Sequence, residues 1–177
     1  MKMNIFQVDA FTAEPFKGNP AAVCLLDSVM PDSWMRGLAA DMNLSETAFL
    51  VRKGDIFSLR WLTPEVEVDL CGHATLASAH ILWEENILSK ESTAQFETKS
   101  GLLKADKRED WIELNFPQTP VTEVEKPEGI EKALGASVIY CGKSKFDYFF
   151  ELDSEDTIKN LAPDYDKLEK LEARGVI

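Results

Sequence analysis

Cysteine and basic side chains are the scarce classes in this sequence. Three cysteines, Cys24, Cys71 and Cys141, are too few and odd in number for a disulfide framework, which points to a reducing cytoplasm. Nineteen Lys and Arg stand against 31 Asp and Glu, for a net charge of −12 and a pI near 4.6. That deficit argues against nucleic acid or an anionic membrane as a partner, since both select basic patches. It has no bearing on a small anionic substrate, which responds to local donors. Long apolar runs are missing too. After Lys2, Gln7 and Asp9 interrupt the N-terminal apolar stretch, so no secretory leader is expected. There is also no low-complexity segment. What remains is 45% hydrophobic and 28% charged residues, ordinary for a globular protein.

The most informative stretch runs from Arg60 to Trp83. A strand with alternating Phe57, Leu59 and Trp61 leads through a short acidic turn to Cys71-Gly72-His73, where a helix begins. The first N–H groups of a helix have no intrahelical partner and attract anions, so an anion or substrate carboxylate is expected near residues 72–75, Ala74 and Thr75 included. The imidazole of His73 adds a group that exchanges protons near neutral pH. The helix itself, with Ala74, Leu76, Ala77, Ala79, Ile81, Leu82 and Trp83, has almost no polar face. A helix apolar all round is buried on all sides. This one is too short, and too soon followed by Glu84 and Glu85, to span a bilayer. It reads as a central helix wrapped by a curved sheet.

Elsewhere the pattern predicts strands at 4–11, after the Gly18-Asn19-Pro20 turn to 26, at 47–51 and at 56–62. A helix starts at Pro31-Asp32-Ser33, with Trp34, Leu38 and Met42 on one stripe, and ends at Asn43-Leu44-Ser45. Two hairpins follow the central helix, around Ser100-Gly101 and around 107–110. Pro117 to Pro127 is the expected boundary, giving domains 1–118 and 119–177. Beyond it come a short helix ending at Gly135, strands at 137–141 and 146–152, a helix capped by Asp153 or Ser154 to Leu161, a helix 164–172, and a strand beginning at Gly175. The order in 137–177 repeats the order in 4–51. The second set has no all-apolar helix to fill its curve, so an incomplete second domain or a homo-oligomeric partner is expected.

Three motifs occur in order: FKGNPAAV (16–23), NLSETAF (43–49) and DLCGHATLA (69–77), after QVDAF (7–11). With these the chain resembles the phenazine-biosynthesis-like (PhzF-like) isomerases of the diaminopimelate-epimerase-like fold. The resemblance covers the whole chain, while members of that family are substantially longer. Their C-terminal part carries an Asp-Pro and a Gly-Ser-Ala-His-type loop that forms the other wall of the cleft, so the chain reads as C-terminally truncated. The resemblance implies an α+β architecture: a curved, mostly antiparallel sheet around a central helix, followed by a second similar domain, here incomplete. It implies no metal and no organic cofactor. It implies a proton-shuttling isomerisation with Glu46 as general acid/base. It places Gly72 and His73 against substrate, with Asn19 and Ser45 lining the same cleft.

Each of these residues also has a plain structural reading. Most glutamates are solvated surface charges; Glu46 differs in opening a strand inside a matching motif. His73 could simply make a hydrogen bond at the helix start. Asn19 belongs to a turn in any case. Cys71 could be a small buried hydrophobe, or a base activated at the helix N-terminus, as in two-base racemases. His80, Trp34, Trp61 and Trp83 read as core. Three functional expectations follow: a cofactor-independent isomerase of a small carboxylate acting through Glu46, a two-base racemase or epimerase acting through Cys71, or an inactive fragment or oligomerising binding module.

Overall fold

The computed structural model describes residues 3–177; Lys2, at the head of the leader reading, lies outside them. Contacts divide the chain into two compact units, Met1–Phe116 and Pro117–Ile177.

In the first unit, β1 (Asn4–Ala10) and β2 (Asn19–Leu26) form an antiparallel hairpin. Its loop holds Gly18 at φ +82°, where a Cβ would lie 2.2 Å from the carbonyl oxygen of Ala10. Only glycine fits there, so the Gly-Asn-Pro turn fixes where β2 begins. α1 (Asp32–Met42) crosses over and ends at Asn43 in the left-handed conformation. That crossover returns the chain as β3 (Glu46–Lys53), parallel to β2, with Ala21 opposite Glu46. β4 (Ile56–Leu62) is antiparallel to β3.

The acidic turn expected after β4 is tighter than its sequence suggests. The Thr63 hydroxyl accepts from the N–H groups of Glu65 and Val66, and the chain folds back as β5 (Glu67–Val68) against β4. Arg60 holds this return. It makes two bonds of 2.7 Å to the Glu67 carboxylate and one of 2.8 Å to Asp32, while Lys99 also reaches Glu67 at 2.8 Å. From β5 the chain enters α2 (Gly72–Glu84). β6 (Ala94–Thr98), β7 (Gly101–Arg108) and β8 (Trp111–Asn115) complete a mixed, mostly antiparallel sheet in the order β1-β2-β3-β4-β6-β7-β8, with β5 beside β4.

α2 touches β1, β2 and β3 and also β8. Strands at both ends of the sheet order therefore meet one helix, and the sheet is curled around it. Ala74, Ala77, Ala79, Ile81, Leu82 and Trp83 are buried with Val23, Leu50, Trp61 and Phe96 in one core. The run of alanines on the helix allows this close approach of strands from several directions. A smaller cluster (Cys24, Met35, Ala39, Phe49) lies under α1 on the other face of β2–β3, with Trp34 edge-on to Phe49 at 6.4 Å. His80 is a correction: it is half-buried rather than core.

The second unit holds β9 (Thr122–Glu123), α3 (Ile130–Leu134), β10 (Tyr140–Lys143), β11 (Asp147–Glu151), α4 (Glu155–Lys159), α5 (Tyr165–Leu168) and β12 (Gly175–Val176), in the sheet order β12-β11-β10-β9. β10 is antiparallel to β11, and β11 is parallel to β12. That is the pairing of β1, β2 and β3 over again. Three details differ from expectation. β9 lies inside the proline-rich stretch. β10 starts late, because the Glu131 carboxylate takes the N–H of Val138. The last helix is short, since Lys170 and Leu171 bond back three residues rather than four. No described helix is long and apolar enough to cross a membrane.

Candidate active site

Three element starts converge in the first unit. Asn19 opens β2, Glu46 opens β3 directly after Ser45, and Cys71 caps α2 ahead of Gly72 and His73. Because β2 and β3 are parallel, their first residues lie at the same end of the sheet. Because α2 fills the curl, its N-terminus meets that end.

The contacts form a chain. The Ser45 hydroxyl donates to Asn19 Oδ1 at 3.4 Å. Nε2 of His73 lies 3.3 Å from Ser45 Oγ and 3.2 Å from Glu46 Oε2. Nδ1 of His73 lies 3.5 Å from Cys71 Sγ. One arrangement of protons satisfies the Ser45 and Cys71 contacts of the ring: the thiol S–H points to Nδ1, and the Nε2–H points to Ser45 Oγ. The structure thus brings Asn19, Ser45, Glu46, Cys71, Gly72 and His73 together. Ala74 and Thr75 are fully buried in the first turn of α2, and the Thr75 hydroxyl donates to the Cys71 carbonyl.

Two features set the electrostatics. Oε2 of Glu46 is buried and accepts no hydrogen bond among the described residues. Its 3.2 Å approach to the imidazole is a contact by distance without hydrogen-bond geometry. Such an atom ordinarily costs stability, so its presence marks a site or a missing partner. No side-chain hydrogen bond caps α2 at Cys71, whose sulfur faces the N–H groups of His73 and Ala74.

Burial favours the neutral forms of His73 and Cys71. Burial depresses the pKa of His73, with the nearby Glu46 charge as a smaller opposing effect. Burial pushes the Cys71 thiol up to about 12, against the weaker pull of the Ala74 and His73 N–H groups. An activated thiolate is therefore not what the helix N-terminus makes here. Desolvation outweighs the amide dipoles, and Cys71 is a thiol at neutral pH.

Sequence reasoning missed two further buried polar atoms in β3 and β4. Trp61, read simply as core, is buried with an indole N–H that has no partner among the described residues, and the same holds for the hydroxyl of Thr47. The side chains of Trp61 and Ala48 share the face that meets α2. No local pattern marks either; both follow from strand register.

Comparison with known proteins agrees with this architecture. The family model described as phenazine biosynthesis-like protein matches residues 8–177. An uncharacterized isomerase of Halalkalibacterium halodurans is 53% identical over the whole chain, which spans 67% of that relative's length. A crystal structure of a PhzF-family phenazine biosynthesis protein from Enterococcus faecalis superposes with a TM-score of 0.90 at 39% identity, over 99% of this chain and 70% of that one. A hydroxyproline epimerase from Agrobacterium vitis, 15% identical, shares the fold alone, with a TM-score of 0.55 over 85% of this chain and 51% of its own. The fold is thus α+β and epimerase-like, and the chain belongs to the phenazine biosynthesis-like family.

Proposed function

We propose that this protein is an isomerase that moves a proton on a small carboxylate-bearing substrate without an organic cofactor or metal, with Glu46 as the general acid/base. The observation that carries the reading is the buried Oε2 of Glu46, without a hydrogen-bond partner among the described residues, near the N-terminus of α2, which no side chain caps. A proton carrier needs a lone pair that no protein donor already occupies. The helix amides offer a place for the substrate carboxylate within the same convergence. His73, which burial favours in its neutral form, stands 3.2 Å from Oε2 of Glu46. The likeness to the isomerase of Halalkalibacterium halodurans supports the reaction class.

A two-base racemase acting through Cys71 is less well supported, because a thiol with a pKa near 12 is a poor base at neutral pH. The test is wash-in of solvent deuterium. The protein is incubated in D2O with a panel of small unsaturated and amino carboxylates, and carbon-bound deuterium is read by mass spectrometry. Incorporation that persists in Cys71→Ser and vanishes in Glu46→Gln supports the assignment. The opposite pattern overturns it in favour of Cys71.

A further inference from the structure

The Glu46–Cys71–His73 cluster offers one carboxylate oxygen, one sulfur and one imidazole nitrogen, all within 4.8 Å of one another. We infer that this cluster is a binding site for Zn2+ and similar thiophilic divalent cations, which inhibit the site rather than serve it.

The donor set argues for such a cation. Sulfur and imidazole nitrogen with one carboxylate suit Zn2+, whereas Mg2+ and Ca2+ require oxygen cages. The spacing argues for it as well. Bonds of about 2.0–2.3 Å in a tetrahedron put neighbouring donors roughly 3.3–3.6 Å apart. Glu46 Oε2 lies 3.2 Å from His73 Nε2 and Cys71 Sγ lies 3.5 Å from His73 Nδ1, contacts on different nitrogens of one ring, and one donor atom from each residue lies within 4.8 Å of the other two. Binding through one imidazole nitrogen requires the side chain of Glu46 or Cys71 to turn toward it, closing a gap of no more than 4.8 Å. Backbone placement is already rigid, since Cys71 and His73 are two residues apart at the start of a buried helix and Glu46 opens a central strand.

An independent observation points the same way. Oε2 of Glu46 is buried with no hydrogen-bond donor among the described residues, and a cation would supply the partner it lacks. Three protein donors leave a fourth position for water or for Ser45 Oγ, which lies 3.3 Å from His73 Nε2. Coordination replaces the S–H bond of Cys71 with an S–Zn bond, and the proton passes to solvent. The inhibitory consequence rests on the proposed role of Glu46, because the cation would occupy the oxygen that must carry the proton. The binding itself does not rest on it.

The test is a titration of the full chain with Zn2+ by calorimetry and with Co2+ by absorption. One equivalent of each cation is expected to bind, and the Co2+ form should show a thiolate-to-cobalt charge-transfer band. Cys71→Ser should abolish that band. Glu46→Gln and His73→Asn should each weaken Zn2+ binding by at least the roughly 10–100-fold that loss of an outer-shell partner costs. A band that survives in Cys71→Ser would assign the thiolate to Cys24 or Cys141 and overturn the inference, as would unchanged Zn2+ affinity in folded Glu46→Gln. Absence of one-to-one binding in the unsubstituted chain would also overturn it. These readouts need no turnover, so they stand apart from the deuterium experiment. Binding with no deuterium wash-in leaves the cation site and counts against the proposed proton transfer through Glu46.

Discussion

Oε2 of Glu46 stands 3.2 Å from Nε2 of His73 and, among the described residues, receives no hydrogen bond. Glu67, in the same unit, is its opposite. It takes two 2.7 Å bonds from Arg60 and a contact from Lys99, and these hold its pKa down at about 2. One carboxylate is fully engaged in holding β5; the other is left free at the site. Glu46→Gln removes the free one while keeping its shape. Turnover should fall by about 10²–10⁴-fold, the usual loss for a general base, with the thermal midpoint unchanged. Full turnover on a verified substrate would end the assignment.

His73 should give the fold a pH dependence of definite sign. Its folded pKa lies below the unfolded value of 6.5, because burial disfavours the charged ring. The unfolded chain therefore takes up the proton first on acidification. The neutral ring's contribution is intact above pH 6.5 and is lost as pH falls through the folded value. Denaturant midpoints measured from pH 8 to pH 5 should decline, and His73→Asn should flatten that decline. A parallel decline in the variant would assign it to another group.

Glu67 acts further into acid. Its pKa falls from 4.5 unfolded to about 2 folded. The stability it contributes is present above pH 4.5 and disappears as pH falls toward 2. Glu67→Gln should lose on the order of 1–3 kcal/mol at pH 7, since it leaves Arg60 without its bidentate partner. The variant should match the parent at pH 2. An equal deficit at both pH values would mean packing, not charge, is responsible.

Two glycines near the site should respond differently to alanine. At Gly18 the added methyl would meet the Ala10 carbonyl at 2.2 Å in a left-handed backbone. Gly18→Ala should cost about 2 kcal/mol or more and displace Asn19. At Gly72 the nearest atom to a Cβ is Phe116 Cε2, at an ordinary 3.7 Å. Gly72→Ala should leave the thermal midpoint intact and raise KM, as a methyl at the helix mouth crowds the substrate. Thermal melts of the pair, with kinetics of the second, settle both.

Hydrogen exchange should separate the two units. The second is held by a small core of Ile130, Leu134, Val138, Cys141 and Phe150, whereas α2 is buried along nearly its whole length. Amides of 74–84 should exchange slowest and those of 137–152 markedly faster. Equal protection at dilute concentration would make the second unit as stable as the first. Protection of 137–152 that grows with concentration would indicate association.

Most of the first unit could be read from its residues because its signals are local. Alternation marked β4, Gly-Asn-Pro marked the entry to β2, and the all-apolar run marked α2. The grouping of Asn19, Ser45, Glu46 and His73 was legible only through ordered motifs, since it depends on the parallel pairing of β2 with β3. The neutrality of Cys71 was not legible, because how far burial outweighs the helix amides depends on packing that no local pattern encodes. β9 and β5, two residues each, are too short for any periodicity to register.

Asn19, Glu46 and Cys71 all stand where an element begins, while the residues that hold the fold lie further along those same elements. Candidate-site groups and core side chains thereby occupy different parts of each segment. Substitutions in the loops leading to these three positions can reshape what is accepted at the mouth of α2 while Val23, Leu50 and Leu82 stay untouched. Such a scaffold can drift from one small acid to another with little penalty in folding, so substrate preference should diverge faster than the alanine-lined interior that supports it.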